Sequence, residues 1–324
     1  MTKRFSLFAL GRRTRAALAA GAALLLAGAG VTALRAGDGA MPTPGRFVAV
    51  GDDALYLDCR GAGSPTIVLE AGATGFAETW AWVQKDLARD HRVCAYDRAG
   101  MGRSPGGATA FHPAESADRL DVLLKNAREP GPYLMVGHSL GGALALVYAA
   151  RHPENTRAVV MVDPPHPDLL SRIPRAAADD YVDFAAKLRL ASRLAPLGVM
   201  HAVRPFSGPA ATLPEEARHA AAIVEVSPDH LRRSYRELAA WPEVETAFRD
   251  AMRDNRRPLM VIAAGTPTDG RTPEFLQSMQ DMQREIAGGG GFAIVPRADH
   301  YSIILDPKSA ATVAHAVRVL GVKS

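Results

Sequence analysis

In the segment Gly137-His138-Ser139-Leu140-Gly141 a serine stands between two glycines, directly after the apolar run Tyr133 to Val136 and directly before the helix-forming run Ala143 to Ala150. A serine hydroxyl is a poor nucleophile at neutral pH until something exposes it and something else takes its proton. A sharp strand-to-helix turn does the exposing: it holds the serine in a strained backbone conformation where flanking side chains would collide, so glycine is needed on both sides. The same turn sets the Leu140 N–H at a helix start, where it can donate to an oxyanion. Ser139 is the candidate nucleophile and Leu140 one oxyanion donor. A glycine-rich turn that merely packs its helix is the alternative.

The base must come from elsewhere in the chain. Of ten histidines, His300 follows the last β-rich run and precedes the final helical stretch, in Val295-Pro-Arg-Ala-Asp-His300-Tyr-Ser. That is where a chain running nucleophile, acid, base places its histidine. His138 lies inside the turn and must point away from the serine, while His91, His152 and His315 read as helix-end or surface residues. Two aspartates compete to orient the imidazole. Asp163 ends the run Val159-Val-Met-Val-Asp163, and Asp269 follows the next run within Ala264-Gly-Thr-Pro-Thr-Asp269-Gly. Asp163 is favoured and Asp269 is the alternative. The second oxyanion donor is expected in the loop Glu70-Ala71-Gly72-Ala73-Thr74-Gly75, at the Ala73 N–H, with Gly72 and Gly75 allowing close approach of the main chain.

These residues need a scaffold, and the chain supplies one. From Arg46 onward β-rich runs alternate with amphipathic stretches, the signal of a mostly parallel sheet covered by helices on both faces. Eight strands are predicted: Arg46 to Val50, Ala54 to Cys59, Thr66 to Glu70, Arg92 to Tyr96, Tyr133 to Gly137, Ala158 to Val162, Leu259 to Ala263 and Phe292 to Val295. The first two form a hairpin across Gly51-Asp52-Asp53. Helices are predicted at Phe76 to Arg89, Pro113 to Arg128, Leu140 to Arg151, Pro273 to Ala287 and Pro307 to Leu320. Between Pro164 and Pro258 the alternation stops, and an Ala-, Arg- and Leu-rich stretch with amphipathic pieces at Asp179 to Leu194 and Pro214 to Val226 reads as a helical insertion. The core is thus expected in residues 46–163 and 258–324 and a cap in 164–257.

Charge is unevenly placed along the chain. The formal charge is +4, but residues 1–40 carry six basic side chains against the single acid Asp38, so the rest is close to neutral. A near-neutral body offers no electrostatic footprint for nucleic acid. The basic start is followed by an uncharged apolar run of 17 residues, Leu18 to Leu34. It reads as a signal peptide or an N-terminal membrane anchor, with Val31 and Ala33 satisfying a small-residue cleavage rule and Arg12-Arg13 resembling a twin-arginine pair. The protein is therefore expected to be exported: periplasmic, secreted or held at the inner membrane through residues 18–34. Cys59 and Cys94 fall in the second and fourth predicted strands, which lie side by side if the sheet takes the expected fold; a disulfide is then geometrically possible, and two buried thiols are the alternative.

Taken together, the residues resemble the α/β-hydrolase family, and within it a bacterial subgroup with Leu-Glu-Ala-Gly where others carry His-Gly. The matching segments are Val68 to Gly72, Val93 to Ser104, the Gly137 to Gly142 turn, Val162 to Asp168 and Ala298 to His300. The resemblance implies a Ser-His-Asp hydrolase with a helical cap over its site, and it supports Asp163, since an aspartate after strand six belongs to the subgroup's pattern. One departure is that Ala71, preceded by Glu70, replaces the usual histidine before the oxyanion glycine; Glu70 is expected to pair with Arg98 and brace this loop. Relatives that open epoxides or remove halides place aspartate at the turn, so Ser139 points to acyl transfer. The expected substrate is a small or medium carboxylic ester, with Pro196 to Phe206 and Trp80 or Trp82 either lining its pocket or serving as plain core. A cofactor-free perhydrolase or acyltransferase, or a catalytically silent binding module, are the competing readings. No metal and no cofactor is expected, because no His/Asp/Cys cluster has ligand spacing and no Gly-rich nucleotide loop follows the first strand.

Overall fold

The computed structural model describes residues 41–107, 109–203 and 209–323. The apolar run Leu18 to Leu34 and its proposed cleavage site lie outside these residues, as do Arg204 to Phe206. Among the described residues no helix is long and apolar enough to cross a membrane.

Eight strands form one sheet: β1 (Arg46–Val50), β2 (Asp53–Arg60), β3 (Ile67–Glu70), β4 (Val93–Tyr96), β5 (Tyr133–His138), β6 (Thr156–Val162), β7 (Leu259–Ala264) and β8 (Gly291–Val295). Their order is β1-β2-β4-β3-β5-β6-β7-β8. The β1–β2 and β2–β4 pairs are antiparallel and the other five pairs parallel. The predicted strands and the hairpin are all present, with ends moved by two residues at most. Cys59 and Cys94 sit directly opposite one another on β2 and β4 and are joined as a disulfide.

The helices are α1 (Ala81–Leu87), α2 (Pro113–Ala127), α3 (Leu140–Arg151), α4 (Leu169–Arg172), α5 (Arg175–Leu194), α6 (Val199–Val203), α7 (Glu215–Val224), α8 (Pro228–Ala239), α9 (Trp241–Asp254), α10 (Pro273–Ala287), α11 (Ser302–Leu305) and α12 (Pro307–Lys323). Side chains alternate along the central strands, so each strand feeds two cores. Val68, Met135, Val159 and Met161 pack under α2, α3 and α9, while Ile67, Leu69, Leu134, Val136, Val160 and Val162 pack under α1, α11 and α12. Burial on both faces explains why these strands read as continuous apolar runs.

Within the inserted stretch, Leu188, Ala191 and Ala195 from α5 and the segment after it pack with Leu231 of α8 in a separate small core. The last inserted helix behaves differently: Val244, Phe248 and Ala251 of α9 join the main core beside α3. Trp80 is fully buried in the core under α1. Trp82 is half-buried, and its indole N–H donates to the Thr212 carbonyl at 2.9 Å.

Candidate active site

Everything proposed to do chemistry leaves the sheet at the carboxyl ends of its strands, the edge where ligands bind in open α/β sheets. The hydrogen-bond ladder runs past the strand ends and sets the levels. The Ser139 N–H donates to Val162 O at 2.9 Å and the Asp163 N–H to Ile262 O at 2.7 Å. Ser139 and Asp163 therefore leave adjacent strands one after the other at the same height.

Ser139 has φ 53° and ψ −127°, a strained conformation for any residue with a Cβ. The bend is so tight that a Cβ at Gly137 would lie 2.1 Å from Gly141 O, and one at Gly141 would lie 2.2 Å from Glu70 O. Glycine is thus obligatory at both positions. Leu140 is the first residue of α3, and the first amides of a helix have no intrahelical acceptor. Opposite the bend, Gly72 comes so close that its missing Cβ would be 3.2 Å from Ser139 Cβ. The Gly72–Gly75 segment is a turn closed by Gly75 N–H donating to Gly72 O at 3.1 Å, with Thr74 at φ 61°. Ala73 sits half-buried on its crest.

The loop after β8 is tied to the loop after β7 by the Gly265 and Thr266 N–H groups, which both donate to Ala298 O at 2.9 Å. This brings His300 back over β6. Its Nδ1 lies 2.7 Å from Asp163 Oδ2. A carboxylate can only accept, so the proton sits on Nδ1 and the Nε2 lone pair is left free. Asp163 is 6% exposed, and its Oδ1 also accepts from the Ala264 N–H at 2.9 Å and the Gln283 side-chain amide at 2.9 Å. Burial alone would raise this carboxyl. The His300 bond and charge, with the Ala264 and Gln283 donors, outweigh burial and hold it below the ordinary aspartate range. Asp269 lies exposed on the turn after β7. His138 Nε2 donates to His300 O at 2.8 Å, and the two rings are 4.8 Å apart. Ser139's chain neighbour thus touches His300 directly. Burial, then the nearby His300 charge, push the His138 imidazole down to about 3, so it serves as a neutral strut.

Glu70 and Arg98 form the expected pair. Arg98 Nη1 donates to Glu70 Oε1 at 2.6 Å and to Ala71 O at 2.6 Å, and Nη2 donates to Gly72 O at 2.9 Å. Tyr96 caps the other oxygen of Glu70 through a short hydroxyl bond. Burial raises the Glu70 carboxyl despite Arg98 beside it. The sequence did not expose Gln283 or two residues of α8. Glu237 receives Arg98 Nε and Nη2, each at 2.8 Å, and His230 Nε2 lies 3.1 Å from Thr74 O. Among the described residues, the cluster of candidate metal ligands is Cys59, Cys94 and Glu129, and the disulfide occupies both sulfurs. Two surface clefts, one walled by Tyr96, Arg119 and Arg233 and one by Pro42, Arg60 and Glu78, include neither Ser139 nor His300 in their lining.

Comparison with known proteins bears on the fold. Residues 65–201 match a family model described as the α/β hydrolase fold. A putative carbamate hydrolase of Yersinia enterocolitica is 34% identical over 113 residues, 34% of this chain and 40% of that protein. The chain spans between 30% and 42% of the length of the first curated relatives it matches. Among solved structures, a thermophilic esterase from Thermogutta terrifontis superposes with a TM-score of 0.61 at 17% identity, covering 86% of this chain and 98% of that one. An E-2-(acetamidomethylene)succinate hydrolase does so with a TM-score of 0.61 at 18% identity, covering 86% and 99%. At such identities the superpositions speak to the fold alone. Strand order, the matched model and these neighbours together make this chain an α/β-hydrolase-fold protein.

Proposed function

We propose that the protein is a serine hydrolase that cleaves small or medium carboxylic esters, with Ser139 as nucleophile, His300 as general base and acid, and Asp163 as the orienting carboxylate. The observation that carries the reading is the 2.7 Å bond from His300 Nδ1 to Asp163 at the strand edge that also holds Ser139 in its strained bend. With Nδ1 committed to Asp163, Nε2 takes the Ser139 proton as Oγ attacks the acyl carbon. The Leu140 and Ala73 N–H groups receive the negative oxygen of the tetrahedral intermediate. Collapse breaks the bond to the alcohol, which leaves with the proton held by His300. Water then attacks the acyl-enzyme by the same route and restores the free hydroxyl. The match to a putative carbamate hydrolase and the likeness to an esterase both fit attack at an acyl carbon. The Val68 to Gly72 segment supports placing the chain in the Leu-Glu-Ala-Gly subgroup of the fold.

The test is labelling with a fluorophosphonate probe followed by peptide mapping. An adduct on Ser139, lost in Ser139→Ala and accompanied by turnover of p-nitrophenyl esters of graded chain length, is the expected result; an unlabelled wild-type protein overturns the reading. Export to an oxidising compartment is part of the same proposal. It is supported by the basic, apolar start of the chain and by the Cys59–Cys94 disulfide, a bond that persists outside the reducing cytosol. The mass of the protein recovered from each cell fraction tests it.

A further inference from the structure

We infer that the cap helix α8 aims the oxyanion donor: His230 and Glu237 are positioning residues for the Ala73 N–H, so the hole is complete only with α8 seated. The inference rests on the serine hydrolase reading and goes beyond it by giving the cap a catalytic consequence.

The argument starts from the face α8 buries. His230, Ser234 and Glu237, spaced four and three residues apart, lie on one side of the helix, and all are buried. A helix normally turns apolar residues inward. This one does so toward α5, through Leu231, Tyr235 and Leu238, but sends polar residues to the oxyanion turn. Buried polar groups are retained where their bonds are made, and here they are. His230 Nδ1 accepts from the Gly102 N–H at 3.2 Å, which fixes the ring proton on Nε2 and makes that nitrogen the donor to Thr74 O at 3.1 Å. Phe76 meets the same ring edge to face at 6.1 Å. Glu237, 0% exposed, grips Arg98 with both oxygens and sets the plane of its guanidinium.

That plane matters because Arg98 Nη2 holds Gly72 O. The Gly72 carbonyl and the Ala73 N–H belong to one planar trans peptide and point in opposite directions. Fixing the carbonyl toward Arg98 fixes the N–H away from it. Further along the turn, the Thr74 carbonyl that His230 holds shares its peptide with the Gly75 N–H, which donates to Gly72 O at 3.1 Å. The peptide that carries the Ala73 N–H is thus held by α8 along two routes, through Arg98 and through the Thr74–Gly75 peptide. No other described cap helix donates a side-chain hydrogen bond to residues 71–75.

Isosteric variants of His230 separate aiming from mere anchoring. In His230→Gln the side-chain amide reaches the Nε2 position and keeps the bond to Thr74 O; in His230→Asn it reaches only the Nδ1 position and loses that bond. With p-nitrophenyl butyrate, the Asn variant is expected to lose at least tenfold in kcat with KM within twofold of wild type, because an oxyanion donor acts on the transition state. The Gln variant should recover to within threefold. His230→Phe, which removes both bonds, should match the Asn variant, and if it does not fold the Asn and Gln pair carries the comparison. Equal kcat in the Asn and Gln variants, or a loss confined to KM, overturns the inference. A wild-type protein that takes no fluorophosphonate label overturns the hydrolase reading and this inference with it, whereas a labelled wild type with an unimpaired Asn variant overturns this inference alone.

Discussion

Replacing Asp163 by asparagine tests the site most sharply, because the structure dictates how the new amide must turn. Asp163 Oδ1 accepts from two donors, the Ala264 N–H and the Gln283 amide, each at 2.9 Å, whereas Oδ2 meets only His300 Nδ1 at 2.7 Å. Placing NH2 at the Oδ1 position would set it against both donors, so the amide keeps oxygen there and presents NH2 to His300. The imidazole must then accept on Nδ1 and carry its proton on Nε2, the tautomer that cannot take a proton from Ser139. A tautomer error of this kind costs about ten-thousand-fold in kcat. Shape and packing are unchanged, so the far-ultraviolet circular dichroism and the oxyanion loop should be intact. The assay is kcat/KM on p-nitrophenyl esters together with the rate of fluorophosphonate labelling, run beside Asp269→Asn. Because Asp269 is exposed on a turn, its variant should stay within twofold of wild type. Asp163→Asn activity within tenfold of wild type, or an equal loss in Asp269→Asn, would refute the assignment of roles.

Gly141→Ala sets a Cβ 2.2 Å from Glu70 O and 2.6 Å from Ala71 O, an overlap expected to cost about 3 kcal/mol or more; chemical denaturation should show a lower midpoint, and any folded fraction should turn over poorly if the proposed oxyanion loop, to which the displaced atoms belong, is the one that acts. Reducing the Cys59–Cys94 bond opens a loop of 35 residues, which on chain entropy alone lowers stability by about 4 kcal/mol; melting with and without dithiothreitol reads it, and an unchanged melting temperature contradicts the estimate. His230 is pushed down to about 4 and His138 to about 3 by burial, both from an ordinary 6.5. The unfolded chain therefore binds more protons in acid, and stability present above pH 6.5 should fall as pH drops toward 4, by a few kcal/mol on order of magnitude. A melting temperature flat between pH 7 and pH 4.5 would contradict it, and His230→Phe should flatten part of the slope.

What could be read from the sequence divides along a physical line. The strand-to-helix bend around Ser139 is local: two glycines, an apolar run before it and helix formers after it, all within one segment. The strands are equally local, because burial on both faces leaves uninterrupted apolar stretches such as Val159 to Val162. Choosing between Asp163 and Asp269 is not local, since it depends on which strand end lies level with the returning β8 loop, a matter of register between β6, β7 and β8. The α8 residues were harder still. A histidine and a glutamate seven apart on a charged helix look like a solvated face, and only the packed structure shows that this face is turned inward. For α9 a signal existed: Val244, Phe248 and Ala251 follow helical spacing, which periodicity could have found within the inserted stretch.

The buried group of Glu70, Tyr96, Arg98 and Glu237 is an expensive way to fill space, since well-packed apolar side chains of similar volume often serve stability equally or better. Burial by itself would depress the Arg98 guanidinium; Glu237 and Glu70 outweigh it and keep the charge fixed there. What the cluster supplies is direction. A guanidinium is planar and carries donors in a rigid fork, so two carboxylates that satisfy its outer edges leave it no freedom to rotate. Its remaining donor positions then fall on Ala71 O and Gly72 O. An apolar cluster could hold the loop in place, but it could not specify which way a peptide faces. In the proposed site a half-buried Ala73 follows the Gly72 carbonyl, and the way the Gly72–Ala73 peptide faces would decide whether a donor or an acceptor meets the developing charge.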